Sequence, residues 1–189
     1  LAILMHEAAH GGLSANRRLN DGLGHWLCAG PVGASLGAYR PYHLAHHKYA
    51  QGEDDPALAL TADFPVSRAS LRRKLARDTT GRTFFKQRVL LPLAARRGAT
   101  AARATDDHAY EAIVTGRSIA PFLAFNAGLL AVFALCGAWW GYFVLWLLPM
   151  ATWFPLVTRI RNIAEHACVQ NAEADPFRAA RTTRARWWE

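Results

Sequence analysis

The chain has 189 residues, enough for one domain with a sizeable core, and it is 52% hydrophobic and 11% aromatic with seven tryptophans, yet its net charge is +8. A soluble basic domain rarely combines these values, and no recognisable nucleic-acid motif accompanies the arginines, so no nucleic acid is expected as a partner. Cys28, Cys136 and Cys168 are odd in number and widely spaced, which excludes a disulfide framework and reads as reduced, packed thiols.

The charge and the apolar residues are segregated. Apolar residues concentrate at 1–5 and 119–157, basic ones between Arg68 and Arg117 and after Arg159. That is the pattern of a membrane protein with a basic face. In chain order, Leu1 to Ala9 holds no Gly or Pro and predicts a helix that Gly11-Gly12 ends. Residues 1–10 are read as the last turns of a membrane helix that starts before Leu1. His6 and His10 stand at i, i+4 on one face of it. Asn20-Asp21-Gly22 is a turn signal. Trp26 to Tyr39 is apolar but broken by glycines and Pro31, which predicts an interfacial or re-entrant piece.

Pro41 sits where a new helix would begin. That helix carries His43, His46 and His47 at i, i+3 and i+4, so three imidazoles share one face. Gly52-Glu53-Asp54-Asp55-Pro56 ends it in an acidic turn. Asp54 and Asp55 are candidates to hold the outer nitrogen of a ligand histidine; a plain Asp-Pro turn explains each equally well.

The stretch 61–118 is basic with apolar stripes, and predicts amphipathic helices on an anionic membrane surface. With 11–60 it forms a cytoplasmic or interfacial segment, 11–118. His25 and His108 read as exposed and not as ligands. Ile119 to Cys136 and Trp139 to Thr158 are both uncharged and long enough to span, predicting a transmembrane hairpin at 119–160 with Trp139, Trp140 and Tyr142 as an interfacial belt. A soluble, buried helical hairpin is the alternative. Arg117, Arg159 and Arg161 flank the pair, so both ends are expected to be cytoplasmic. Residues 161–189 then start a cytoplasmic segment, with Asn162 and His166 at i, i+4.

These elements use six of the eight histidines, and neutral imidazole is the commonest nitrogen ligand for iron, zinc and copper. The expected fold class is all-α: an integral membrane helical bundle with a cytoplasmic, histidine-rich di-metal cap. In this combination the chain resembles the membrane fatty acid desaturases, and its Arg159-to-His166 run resembles the bacterial form. His6-Glu7-Ala8-Ala9-His10 followed by Gly11 matches that family's first histidine box. His43-Leu44-Ala45-His46-His47-Lys48, with Asp55-Pro56 downstream, matches its second. Asn162 and His166 match an Asn…His element after the last span. The family's third box, a further HxxHH, is absent, and is expected just after Glu189 with 181–188 as its lead-in.

The resemblance implies two iron ions and O2, with His6, His10, His43, His46, His47 and His166 as ligands and Asn162 reaching one metal through water. Glu7, Asp54, Asp55 and Glu165 are implied to stand behind the ligands. It implies a fatty acyl lipid or thioester as substrate, membrane lipids around the chain, and an acidic electron donor such as a ferredoxin or a cytochrome b5-like protein, which the basic face suits. Three rival readings stand. A related membrane lipid hydroxylase or carotenoid ketolase would use the same boxes. His-Glu-x-x-His alone is also the zinc metallopeptidase signature, with the Glu as base. A membrane metal carrier would want polar residues in the spans, for which Asn126 and Thr152 are thin support.

Overall fold

A computed structural model of the chain describes residues 1–61, 63–90, 116–169 and 180–181. Among these residues the regular structure is all helical. The main helices are α1 (Ala2–His10), α2 (Arg17–Leu23), α3 (Leu36–Tyr49), α4 (Arg68–Thr79), the short α5 (Arg82–Phe85), α6 (Gly116–Leu135) and α7 (Trp139–His166).

Helix α1 stops where the sequence says it should. Gly11 takes the left-handed conformation with φ 81°, and the Gly12 amide donates back to the Glu7 carbonyl at 2.8 Å. The expected turn at Asn20-Asp21-Gly22 is instead the middle of α2. Asn16 caps that helix through its side chain, accepting from the Arg18 and Leu19 amides. The Asn20 side chain is drawn inward, donating to the Ala8 carbonyl at 2.9 Å and accepting from the Leu13 amide at 3.1 Å. Tertiary hydrogen bonds thus override the local turn preference of Asn and Asp.

The segment expected at the interface, Trp26 to Tyr39, supplies the centre of the core. Cys28, Ala29, Val32, Ala34 and Leu36 pack with Met5, Ala8 and Ala9 of α1. Two glycines, Gly24 just before it and Gly30 within it, allow close approach. A Cβ on Gly24 would stand 2.5 Å from the Ala8 Cβ, and one on Gly30 would stand 2.6 Å from the Pro121 Cβ of α6. The irregular backbone there is covered by protein, which satisfies it. Helix α3 also begins earlier than expected, at Leu36, with Pro41 inside it. Ser35, extended with φ −115°, stands at its start.

Helices α6 and α7 form the hairpin read from the sequence, turning at Gly137 with φ 71°. Trp139–His166 is long and apolar enough to cross a membrane, whereas the apolar part of α6, Ile119–Leu135, is a shorter run. Only 6% of the most apolar window of α7 is buried in the described structure, which argues against the core hairpin of a soluble protein. Leu123, Val132, Trp139, Phe143, Leu145, Leu148 and Trp153 are all exposed along the pair.

Among the described residues of the hairpin, the buried polar side chain of Asn126 is accounted for. The Asn126 oxygen accepts from Tyr142 Oη and Trp146 Nε1, both at 2.9 Å, while its amide donates to the Phe122 carbonyl at 2.8 Å. It staples α6 to α7, which removes it as support for a transport path. Asn126→Leu should therefore weaken the hairpin by about 1–2 kcal/mol, from two interhelical bonds at membrane-type strength. Unfolding of the full-length protein in mixed detergent should show this as a lowered midpoint; an unchanged midpoint would contradict the staple.

Candidate metal centre

Helix α1 presents His6 and His10, α3 presents His43, His46 and His47, and the end of α7 presents His166. The Nε2 atoms of His10 and His47 each lie 3.0 Å from Nε2 of the buried His43. His6 joins them, its ring centroid 4.4 Å from that of His43, and the potential donor atoms of His6, His10, His43 and His47 all fall within 4.8 Å of one another. His46 lies beside this group, 6.0 Å from His47 between ring centroids, and meets His166 edge-on at 4.9 Å. The six imidazoles are thus one contiguous set drawn from three helices. His10 and His47 are exposed, so among the described residues the set has an open side.

The donor set fits a metal ion. Two imidazole nitrogens about 2.1 Å from a divalent ion and at right angles stand about 3.0 Å apart. The observed 3.0 Å spacings about His43 match that. Electrostatics favour the neutral, ligating form. Burial, followed by the neighbouring His6, His47, His10 and His46, pushes the His43 imidazole down to about 3. His47 is lowered too, by burial first and then by the same ring of histidines. Tyr39 stacks on His43 with the rings 9° from parallel and 5.0 Å apart, fixing its plane.

Carboxylates hold two of the imidazoles from behind. Asp55, whose side chain is fully buried, sits with its oxygens 2.9 and 3.0 Å from His46 Nδ1. A carboxylate only accepts, so Nδ1 carries the proton and Nε2 is left free. Burial works to raise the Asp55 carboxyl. The bonds from His46 and from the Gln51 and Ala57 amides outweigh it, and the net shift is downward. Glu7 is exposed and accepts from His6 Nδ1 at 3.0 Å. Its carboxylate is engaged with the back of a box histidine, a poor station for a peptidase base. Glu165 pairs with Arg161 at 2.7 Å and lies 3.9 Å from His166 Nε2. Asp54, the other acidic candidate on the turn, is exposed, so it is Asp55 that backs the box. Asn162 is half-buried one turn before His166 on α7. His25 packs against its neighbour Trp26 and takes no part in the cluster. His108, and the basic run after Leu90, lie outside the described residues.

Several residues that shape the site carry no motif. Arg40 donates from Nε to the Ala9 carbonyl at 3.1 Å and from Nη2 to the Ala8 carbonyl at 3.0 Å, and forms an ion pair with Asp21. That bond, then one from Asn20, holds the Asp21 carboxyl below its ordinary value. Arg181 donates to the Ala164 and Cys168 carbonyls at 3.2 and 3.1 Å, at the end of α7 that bears His166. Asp78 of α4 is fully buried. It accepts from Arg159 Nε at 2.5 Å and from Thr83 Oγ1 at 2.5 Å, locking α4 and α5 against α7. The only hint of Arg40 in the sequence is a charge in an otherwise apolar run.

Helices that gather six imidazoles into one set, with carboxylates behind two of them, make a helical protein with a nitrogen-rich cluster that could hold metal. The whole of residues 1–189 matches the family model of the fatty acid desaturases, and the chain belongs to that family. Membership makes it an oxidoreductase of the desaturase or hydroxylase type that acts on fatty acids. No curated protein and no solved structure matches it.

Proposed function

We propose that the chain is a fatty acid desaturase domain of an integral membrane enzyme that inserts a double bond into a fatty acyl lipid or thioester. In this reading residues 1–10 and 11–118 bring the first two boxes together, 119–160 is the membrane hairpin, and 161–189 starts the segment with Asn162 and His166. The observation that supports it most is the meeting of six histidines from sequence positions 6 to 166 in one set. His6, His10, His43, His46, His47 and His166 would hold two iron ions, with Asn162 reaching one through water. Six imidazoles do not fill two shells of five or six ligands, so water or further ligands are needed as well.

Bound iron supplies the capacity to use O2 against an unactivated C–H bond, which no side chain here possesses. Overall, the acyl CH2–CH2 unit becomes CH=CH while O2, two electrons and two protons become two waters. The chain's own residues do the holding. Burial keeps His43 neutral, Asp55 keeps the Nδ1 proton on His46, and Tyr39 fixes the plane of His43. The apolar faces of α6 and α7 would lie in lipid on the substrate's side. The basic residues of α4 would face the cytoplasm of a bacterial inner membrane, where an acidic ferredoxin or cytochrome b5-like donor delivers electrons.

The test is mass spectrometry of acyl lipids from cells expressing the full-length protein. An O2-dependent product with two hydrogens fewer is expected. A hydroxylated or keto product would replace the desaturase reading with that of a sibling oxygenase. Glu7→Gln separates the family reading from a peptidase. Because Glu7 is exposed and backs only His6, the variant should keep its metal and lose no more than about tenfold in turnover, the low end for such backing partners. Complete inactivation with metal still bound would make Glu7 a reacting base.

A further inference from the structure

The arginine one turn before the second box ties that box to the first. Arg40 lies on α3 three residues ahead of His43, and its side chain is 19% exposed. The two carbonyls it binds belong to Ala8 and Ala9, two of the three residues between His6 and His10. Both alanines are buried, Ala8 completely. They sit in the last turn of α1, where the helix no longer supplies a full set of amide partners; the Gly11 amide reaches back to the Ala8 carbonyl at 3.1 Å. Asn20, 1% exposed, adds a third donor to the Ala8 carbonyl, and its Nδ2 also bonds Asp21 Oδ1 at 2.9 Å. Asp21 then takes the far side of the guanidinium through both of its oxygens.

The result is a planar fork whose two ends are fixed: carbonyls of α1 on one side, a carboxylate of α2 on the other. Lysine, a point charge on a flexible stem, cannot bind both carbonyls and the carboxylate in this way. One turn further along α3, His43 brings its Nε2 to 3.0 Å from that of His10 on α1. A slip of α1 along α3 would open that spacing, and Arg40 is the side chain that spans the slip plane between the boxes.

We propose that Arg40, anchored by Asp21 and assisted by Asn20, is a positioning residue for the metal centre: it sets the distance between the first and second histidine boxes and so the affinity and geometry of the metal held between them. The proposal rests on the metal-centre reading above, and Co2+ is a probe that separates the two.

The full-length protein in detergent is titrated with Co2+, whose visible d–d bands report ligand number and geometry. Wild type should bind it through the histidines. Arg40→Gln should bind it about 10–100-fold more weakly, the range for residues that orient metal ligands. Its bands should shift, and in the iron-loaded enzyme kcat should fall with KM for the acyl substrate unchanged. Arg40→Lys should recover part of the affinity. Asn126→Leu, which loosens the hairpin away from the site, should leave affinity and spectrum as in wild type. A folded Arg40→Gln with wild-type affinity and bands would overturn the proposal, as would equal losses in Arg40→Gln and Asn126→Leu. If Arg40→Gln does not fold, Asp21→Asn decides: about a tenfold loss of affinity supports the proposal, and an unchanged affinity overturns it. Failure of wild type to bind Co2+ would defeat the metal-centre reading itself, whereas wild-type binding with unaffected variants defeats only the role of Arg40.

Discussion

Replacing His47 with alanine should abolish turnover in the full-length enzyme and lower the iron bound per chain. Its Nε2 lies 3.0 Å from that of His43, within the four-histidine group, and alanine leaves nothing there that ligates. His46→Ala should abolish turnover as well, but the two variants should differ in stability. His46 is a donor to the fully buried Asp55, so its removal leaves a desolvated carboxylate short of one partner, at a cost of about 1–3 kcal/mol. The amides of Gln51 and Ala57 still bind that carboxylate and limit the damage. Iron analysis and turnover, measured with a thermal melt, separate the effects. Normal turnover in either variant would take that imidazole out of the metal centre.

The second large effect lies away from the histidines. Asp78→Ala should destabilise the protein by about 3–5 kcal/mol, the range for removing one partner of a buried ion pair. Asp78 has no exposed side-chain surface, and the Arg159 side chain facing it is 13% exposed. The aspartate also receives Thr83 Oγ1, so the substitution releases α4 and α5 from α7 together. Asp78→Asn keeps the shape but removes the carboxylate charge that faces Arg159, and should fall between Ala and wild type. Chemical denaturation in detergent reads this directly. An Asp78→Ala melt within error of wild type would mean that the pair contributes nothing to the docking of α4.

What could be read from the sequence follows from what is local. The histidines at 6 and 10, at 43, 46 and 47, and at 166 announce themselves because ligands one helical turn apart share a face. Gly11 at the end of α1 and the uncharged runs of the hairpin are legible for the same reason. The rest is set by partners far along the chain. Asp78 and Arg159 are 81 residues apart, and Arg159 alone reads as a flanking membrane charge. Asn126 reads as a polar blemish in a span until Tyr142 and Trp146 come alongside it. Asn20 and Asp21 read as a turn because their bonds to Ala8 and Arg40 are tertiary. Trp26 to Tyr39 reads as interfacial because its small residues look like interruptions, when they are what lets α1, α3 and α6 approach.

The account stands on one shared metal centre formed by three distant segments. Metal analysis of the full-length protein, combined with iron K-edge absorption spectroscopy, tests it most directly. Two iron ions per chain are predicted, each with a first shell of nitrogen and oxygen and the multiple-scattering signature of imidazole, reduced in His47→Ala. Zinc in place of iron, sulfur in the first shell, or a spectrum unchanged in that variant would contradict it.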